Sequence, residues 1–163
     1  MLLLKSNPKA NRQNRFAFFI FTKISKKQLV ETIRTKYLGG LRTEAEHVKS
    51  GQKVITDAPL DNQGKGEAFS PSDLMTASLS SCMLTIMGIA ARTHDIPFEN
   101  ISCKVTKIMV ANPRRVGEIV VEFDMGNFSY TDKQKAILTN AAHTCPVALS
   151  LHPDLKQTVN FNF

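Results

Sequence analysis

The sequence predicts an α+β protein with antiparallel sheet and one long helix that crosses the core, in the order β-β-β-α-β-β-α-α-β. Three observations carry that expectation. From Leu74 to Ala91 eighteen consecutive positions hold no charged residue, a run too long for a strand and suited to a helix buried on nearly all sides. Ahead of it, short β-branched stretches alternate with turn signals. Behind it come two more strand patterns, a capped amphipathic stretch and a closing strand, without the regular strand-helix alternation of a parallel α/β fold. A chain of 163 residues accommodates one domain with a sizeable core.

Residues 1–27 resemble no folded element and read as a basic leader. The apolar piece Phe16 to Phe21 is too short to span a bilayer, and no small-residue cleavage site follows it. The first strand pattern covers Leu29 to Leu38, with Val30, Thr32, Ile33 and Thr35 as its β-branched residues, and Gly39-Gly40 interrupts it. Leu41 to Val48 and Lys53 to Thr56 follow as two strands joined around Ser50-Gly51. Asp57 to Phe69 is rich in Pro, Gly, Asp and Asn and reads as a loop.

That loop delivers the chain to the long helix, from Ser70 to Arg92. Ser70 suits the N-cap, Pro71 the first helical position, and Asp73 the positive end of the helix dipole. At ~1.5 Å per residue the helix is roughly 30 Å long, enough to cross the core. Membrane insertion is the rival reading, since about 20 apolar residues cross a bilayer. Thr76, Ser78, Ser80, Ser81 and Thr85 weigh against it, as does the lack of flanking cations at both ends. Ile101 to Val110 and Gly117 to Phe123 then pair as a hairpin. Thr131 caps a second helix from Asp132 to His143, which Cys145-Pro146 ends. Val147 to Leu151 forms a further helical turn, and Val159 to Phe163 alternates as the last strand.

The net charge of +7 suggests a nucleic-acid or membrane partner until its distribution is counted. Residues 1–36 hold nine Lys/Arg against one acid, giving +8; the other 12 Lys/Arg and 13 Asp/Glu give −1. The basic character belongs to the leader, and the remainder predicts no nucleic-acid surface. Cys82, Cys103 and Cys145 are an odd number at wide spacing, unlike a secreted disulfide framework, which points to a reducing cytoplasm.

Chemistry is expected at the cysteines. Cys82 by itself reads as core filling. Ser78 and Thr85 lie one turn away on its face and could donate to a sulfur anion. Cys145, at a helix end, could approach it only through the fold. A reactive thiol needs a cation to stabilise its thiolate, and Arg42 is the candidate. His143, two residues before Cys145, could serve as a base. Cys82, Cys145, His94 and His143 include zinc-ligand types, but none falls in a short ligand pair, and no metal or other cofactor is expected.

These residues together resemble a known family. S-P-S-D-L-M-x-A-S-L-S-S-C-M around Cys82, H-T-C-P-V around Cys145, and G-G-L-R-T-E-A-E-H followed by I-T-D-A-P are similar to the family of osmotically induced protein C and organic hydroperoxide resistance protein (OsmC/Ohr), in a divergent OsmC-like branch. The likeness covers roughly residues 30–163. It implies an intertwined homodimer with two long helices back to back, and a thiol peroxidase acting on organic hydroperoxides or hydrogen peroxide. Cys82 would match the peroxide-attacking cysteine, Cys145 the resolving one, and Arg42 the arginine that stabilises the thiolate. An external dithiol would reduce the resulting disulfide. Where the hydroperoxide branch has a glutamate after the helix-opening proline, this chain has Ser72, so Asp73 or Glu67 is the expected substitute carboxylate. Two other functions compete with this reading. One is a thiol hydrolase with His143 as base; the other is a non-catalytic dimer that binds a small apolar ligand or partner.

Overall fold

A computed structural model describes residues 30–163; the leader, residues 1–27, lies outside them. The described chain forms two compact units, residues 30–34 with 46–53, and residues 35–45 with 54–163. Its elements are β1 (Ile33–Gly39), β2 (Arg42–His47), β3 (Lys53–Asp57), α1 (Pro71–Thr93), β4 (Ser102–Ala111), β5 (Arg114–Asp124), α2 (Asp132–His143), α3 (Pro146–Ser150) and β6 (Lys156–Asn162). A single 3-10 turn, Leu60–Asn62, interrupts the loop before α1. The expected element order holds, with boundaries displaced by a few residues.

Two three-stranded sheets form, ordered β1-β2-β3 and β4-β5-β6. The β4 and β5 strands pair antiparallel as a hairpin, with a register shift at Ile108/Met109. The last strand departs from a purely antiparallel scheme, because β6 pairs with β5 in parallel. The chain leaves β5, passes through α2 and α3, and returns in the same direction, as a crossover connection requires.

Helix α1 begins where its residues dictate. Ser70 accepts from the Asp73 backbone N–H while the Asp73 carboxylate accepts from the Ser70 N–H, a capping box, and Pro71 occupies the first turn. One face of α1 is buried through Leu79, Met83, Met87 and Ala91, which pack with Ile119, Val121 and Phe123 of β5 and with Leu138 and Ala142 of α2. The helix is long and apolar enough to cross a membrane by length and composition, with a third of its apolar window buried (33%). Within one chain the helix is not buried on all sides: Ser78, Ser81, Thr85 and Ile89 form an exposed stripe along α1, the side that the resemblance assigns to a second copy. Their 3–4-residue spacing places them on one face, opposite the core.

Candidate active site

The two cysteines singled out in the sequence meet. Cys82 is half-buried on α1, between the core face and the exposed stripe, and Cys145 is fully buried at the N-cap of α3. Proline at position 146 ends α2 and starts α3, so the Cys145 side chain turns inward at the junction. Its Sγ accepts from the Ala148 N–H at 3.4 Å. Burial pushes the Cys145 thiol up despite that hydrogen bond, and a hydrogen bond with the Cys82 side chain raises it further. Both are free thiols. Their side chains interact, so that oxidation of one sulfur would leave the other beside it as a nucleophile.

Ser78 and Thr85 do not serve the sulfur. Their hydroxyls donate to the carbonyls of Leu74 at 2.7 Å and Ser81 at 2.8 Å, the habit of mid-helix Ser and Thr, whose nearest acceptor is the carbonyl one turn back. His143 is exposed, its ring edge-on to Phe161 with centroids 6.3 Å apart, and His94 ends α1 as its C-cap. Among the described residues no three of His, Cys, Asp and Glu converge as metal ligands would. Cys103, on β4, has its thiol pushed up by burial and contacts the Ser80 side chain.

Arg42 stands at the start of β2, where the Gly39-Gly40-Leu41 turn releases the chain. Its Nη2 donates to Asp57 Oδ2 at 3.3 Å and to Glu67 Oε2. Glu67 was one of the two carboxylates expected there. Asp57 was not, although it is the better buried of the pair: it closes β3 with no exposed surface. Its Oδ2 also accepts from the Glu67 N–H at 2.9 Å. That backbone bond, followed by Arg42, holds the Asp57 carboxyl below the ordinary range despite its burial.

Asp73, the other expected substitute carboxylate, faces a different cation. Its Oδ1 accepts from Lys107 Nζ at 2.6 Å, and the same ammonium donates to Ser72 Oγ at 2.8 Å and Ser70 Oγ at 3.3 Å. Burial pulls the Asp73 carboxyl up, but the bonds from Lys107 and Ser70 outweigh it and the net shift is downward. Among the described residues, the hydrogen bonds of the Arg42 guanidinium go to Asp57 and Glu67, so Asp73 does not hold it. Lys107 was detectable in the sequence. On β4 it shares the inward register of Cys103, Val105 and Met109, and a lysine in an apolar alternation buries its stem and must bring its ammonium to water or to an acceptor. Asp57 lies in the I-T-D-A-P motif, but the loop composition of 57–69 masked the strand end it occupies.

The OsmC-like protein family model matches residues 64–160, more than half of the chain, including Cys82 and Cys145. The chain belongs to the OsmC family. A solved OsmC-like relative from Psychrobacter arcticus 273-4, provisionally named an osmotic stress induced and detoxification response protein, is 49% identical, with a TM-score of 0.80. That similarity covers 85% of this chain and 100% of the relative. Two more distant structures share the OsmC fold. The organic hydroperoxide resistance protein OsmC of Legionella pneumophila is 18% identical, with a TM-score of 0.66, over 82% of this chain and 98% of its own. An organic hydroperoxide resistance protein of Elizabethkingia anophelis, with thiocyanate bound, is 14% identical with a TM-score of 0.60, over 83% and 98%. Comparison with curated proteins gives no significant match.

Proposed function

We propose that this OsmC-family chain is a cysteine-based hydroperoxide reductase. The observation that carries the proposal is the contact between half-buried Cys82 and fully buried Cys145. The organic hydroperoxide resistance proteins among its fold relatives support the same substrate class.

Roles follow from accessibility. Cys82 is the thiol that solvent reaches, so it attacks first. Its thiolate displaces alkoxide from the O–O bond of the hydroperoxide, the alkoxide takes a proton to leave as alcohol, and the sulfur is oxidised to sulfenic acid. Cys145, shielded and with its thiol pushed up, waits for that electrophile. Its sulfur attacks the Cys82 sulfenic acid, the S–S bond forms and water leaves. An external dithiol, as in the cytoplasm, reduces the disulfide by exchange and is itself oxidised. Arg42 supplies the positive charge that favours the thiolate.

A homodimer is part of this reading. The exposed stripe of α1 is uncharged, and Tyr37, Leu38 and Leu41 near the first turn and Ile108 and Val110 on β4 are also exposed. A soluble protein seldom leaves so much apolar surface uncovered. A second copy on the α1 stripe would close over Cys82, whose neighbours Ser81 and Thr85 belong to it.

Replacing Cys82 by Ser is expected to abolish consumption of an organic hydroperoxide in the presence of a dithiol. Replacing Cys145 by Ser is expected to permit one turnover and leave a trappable sulfenic acid. Undiminished turnover by Cys82→Ser would exclude the mechanism.

A further inference from the structure

A cleft of about 530 Å³ lies between the first half of α1, the start of β5 and the turn that follows α3. Its wall is apolar: Val116 and Leu155 are buried there, and Met75 and Leu151 are half-buried. Ligand pockets have this character, about 300–1,000 Å³ of mostly apolar space with a few placed polar groups. The cleft stands apart from the thiol pair. Met75 precedes Cys82 by two turns of α1, ~10 Å along the axis, and neither Cys82 nor Cys145 lines the cleft.

Its polar groups are His152, Asp154 and Arg115. The first two belong to one tight turn and satisfy each other. The Leu155 N–H donates to the His152 carbonyl at 2.9 Å, His152 Nδ1 accepts from the Asp154 N–H at 3.2 Å, and the Asp154 carboxylate lies 3.7 Å from the same ring nitrogen. Arg115 is different. Its Nη1 donates to the Val116 carbonyl at 3.3 Å, and among the described residues no carboxylate pairs with it, whereas its neighbour Arg114 pairs with Asp61 at 2.8 Å. A guanidinium carries five N–H donors in a planar fork that matches a carboxylate, so most of that capacity is unused.

An apolar wall beside one unpaired cation complements a molecule of the reverse pattern. We infer that this cleft binds a monocarboxylate with an unbranched alkyl chain, the chain against Met75, Val116, Leu151 and Leu155 and the carboxylate on Arg115. The site needs no reacting sulfur, so it goes beyond the peroxidase reading and does not depend on it.

The test titrates decanoate, below its micellar range and at neutral pH, into the full-length protein carrying 13C-methyl methionine. Met75 lines the cleft, while Met83, Met87 and Met125 are fully buried, so their signals report on the site and on the fold separately; Met75→Leu assigns the first. A saturable shift of the Met75 signal is expected, with the other three in place. 1-Decanol, which has the same chain without the charge, should bind about tenfold more weakly. Arg115→Gln should weaken decanoate about tenfold and leave decanol unchanged. Asp154→Asn, which removes the one anion at the cleft, should tighten decanoate.

Three results overturn the inference: no saturable Met75 shift, equal affinity for decanoate and decanol, or wild-type decanoate affinity in Arg115→Gln. Leu155→Glu, which places a charge on the apolar wall, should abolish binding of both molecules, and retained binding overturns the placement of the chain. If that variant does not fold, the exposed Arg115→Gln change and the decanol comparison decide.

Discussion

Cys82 and Cys145 have opposite environments within one contact, and that asymmetry has a direct chemical readout. In the native protein a small alkylating reagent should modify Cys82 well before Cys145, since only the former has a path to solvent; equal labelling would contradict the assignment of roles. The Lys107 ammonium offers a second test. Asp73 has its folded pKa depressed, so the stabilisation it brings is present above the unfolded carboxylate value of ~3.9 and is lost as pH falls through the lower folded value. Lys107→Met should therefore lower the melting temperature at pH 6, and the gap from wild type should narrow toward pH 3. A gap independent of pH would mean that lost packing, not charge, explains the variant. At this scale the sequence shows both cysteines and Arg42 through their motifs. It conceals which carboxylate meets which cation. Asp73 is adjacent in sequence to the helix start yet bonds a strand lysine, whereas Asp57, fifteen positions after Arg42, reaches it because β2 and β3 are neighbours in one sheet.

Helix α1 is the element whose limits are most readable, because Ser70, Pro71 and Asp73 all act through local geometry that needs no tertiary partner. Removing the cap with Ser70→Ala should cost about 1 kcal/mol, measured by denaturant unfolding. Truncating the core face with Leu79→Ala should cost more, ~2–5 kcal/mol, since Leu79 is fully buried and a cavity remains. Equal losses from the two variants would contradict the core assignment. The loop ahead of α1 is built as tightly as a regular element. A Cβ on Gly64 would lie 1.7 Å from the Ala58 carbonyl oxygen, and Gly64 and Gly66 donate their N–H groups to Pro59 and Ala58 at 3.1 and 3.2 Å. Composition identified a loop there but not its closure, which depends on the fully buried Asp57. The parallel pairing of β6 was equally hidden, because alternation in Val159 to Phe163 reports which face is buried, not which neighbour supplies the hydrogen bonds.

For the whole molecule, the uncharged run of α1 means less burial within one chain than its composition suggests. Ser78, Ser81, Thr85 and Ile89 are exposed, and the sequence cannot separate a helix covered by its own fold from one covered by a second copy, since both omit charge. Ile89→Glu, which puts a charge on that stripe, should shift the protein from dimer to monomer in sedimentation velocity at micromolar concentration. A monomeric wild type would remove the dimer from the account. The redox pairing of Cys82 with Cys145 is read from the intact mass after one equivalent of an organic hydroperoxide. Loss of two hydrogens is expected, with peptide mapping locating a Cys82–Cys145 disulfide. An unchanged mass, or a stable oxygen adduct on Cys82 with Cys145 still a free thiol, would contradict it.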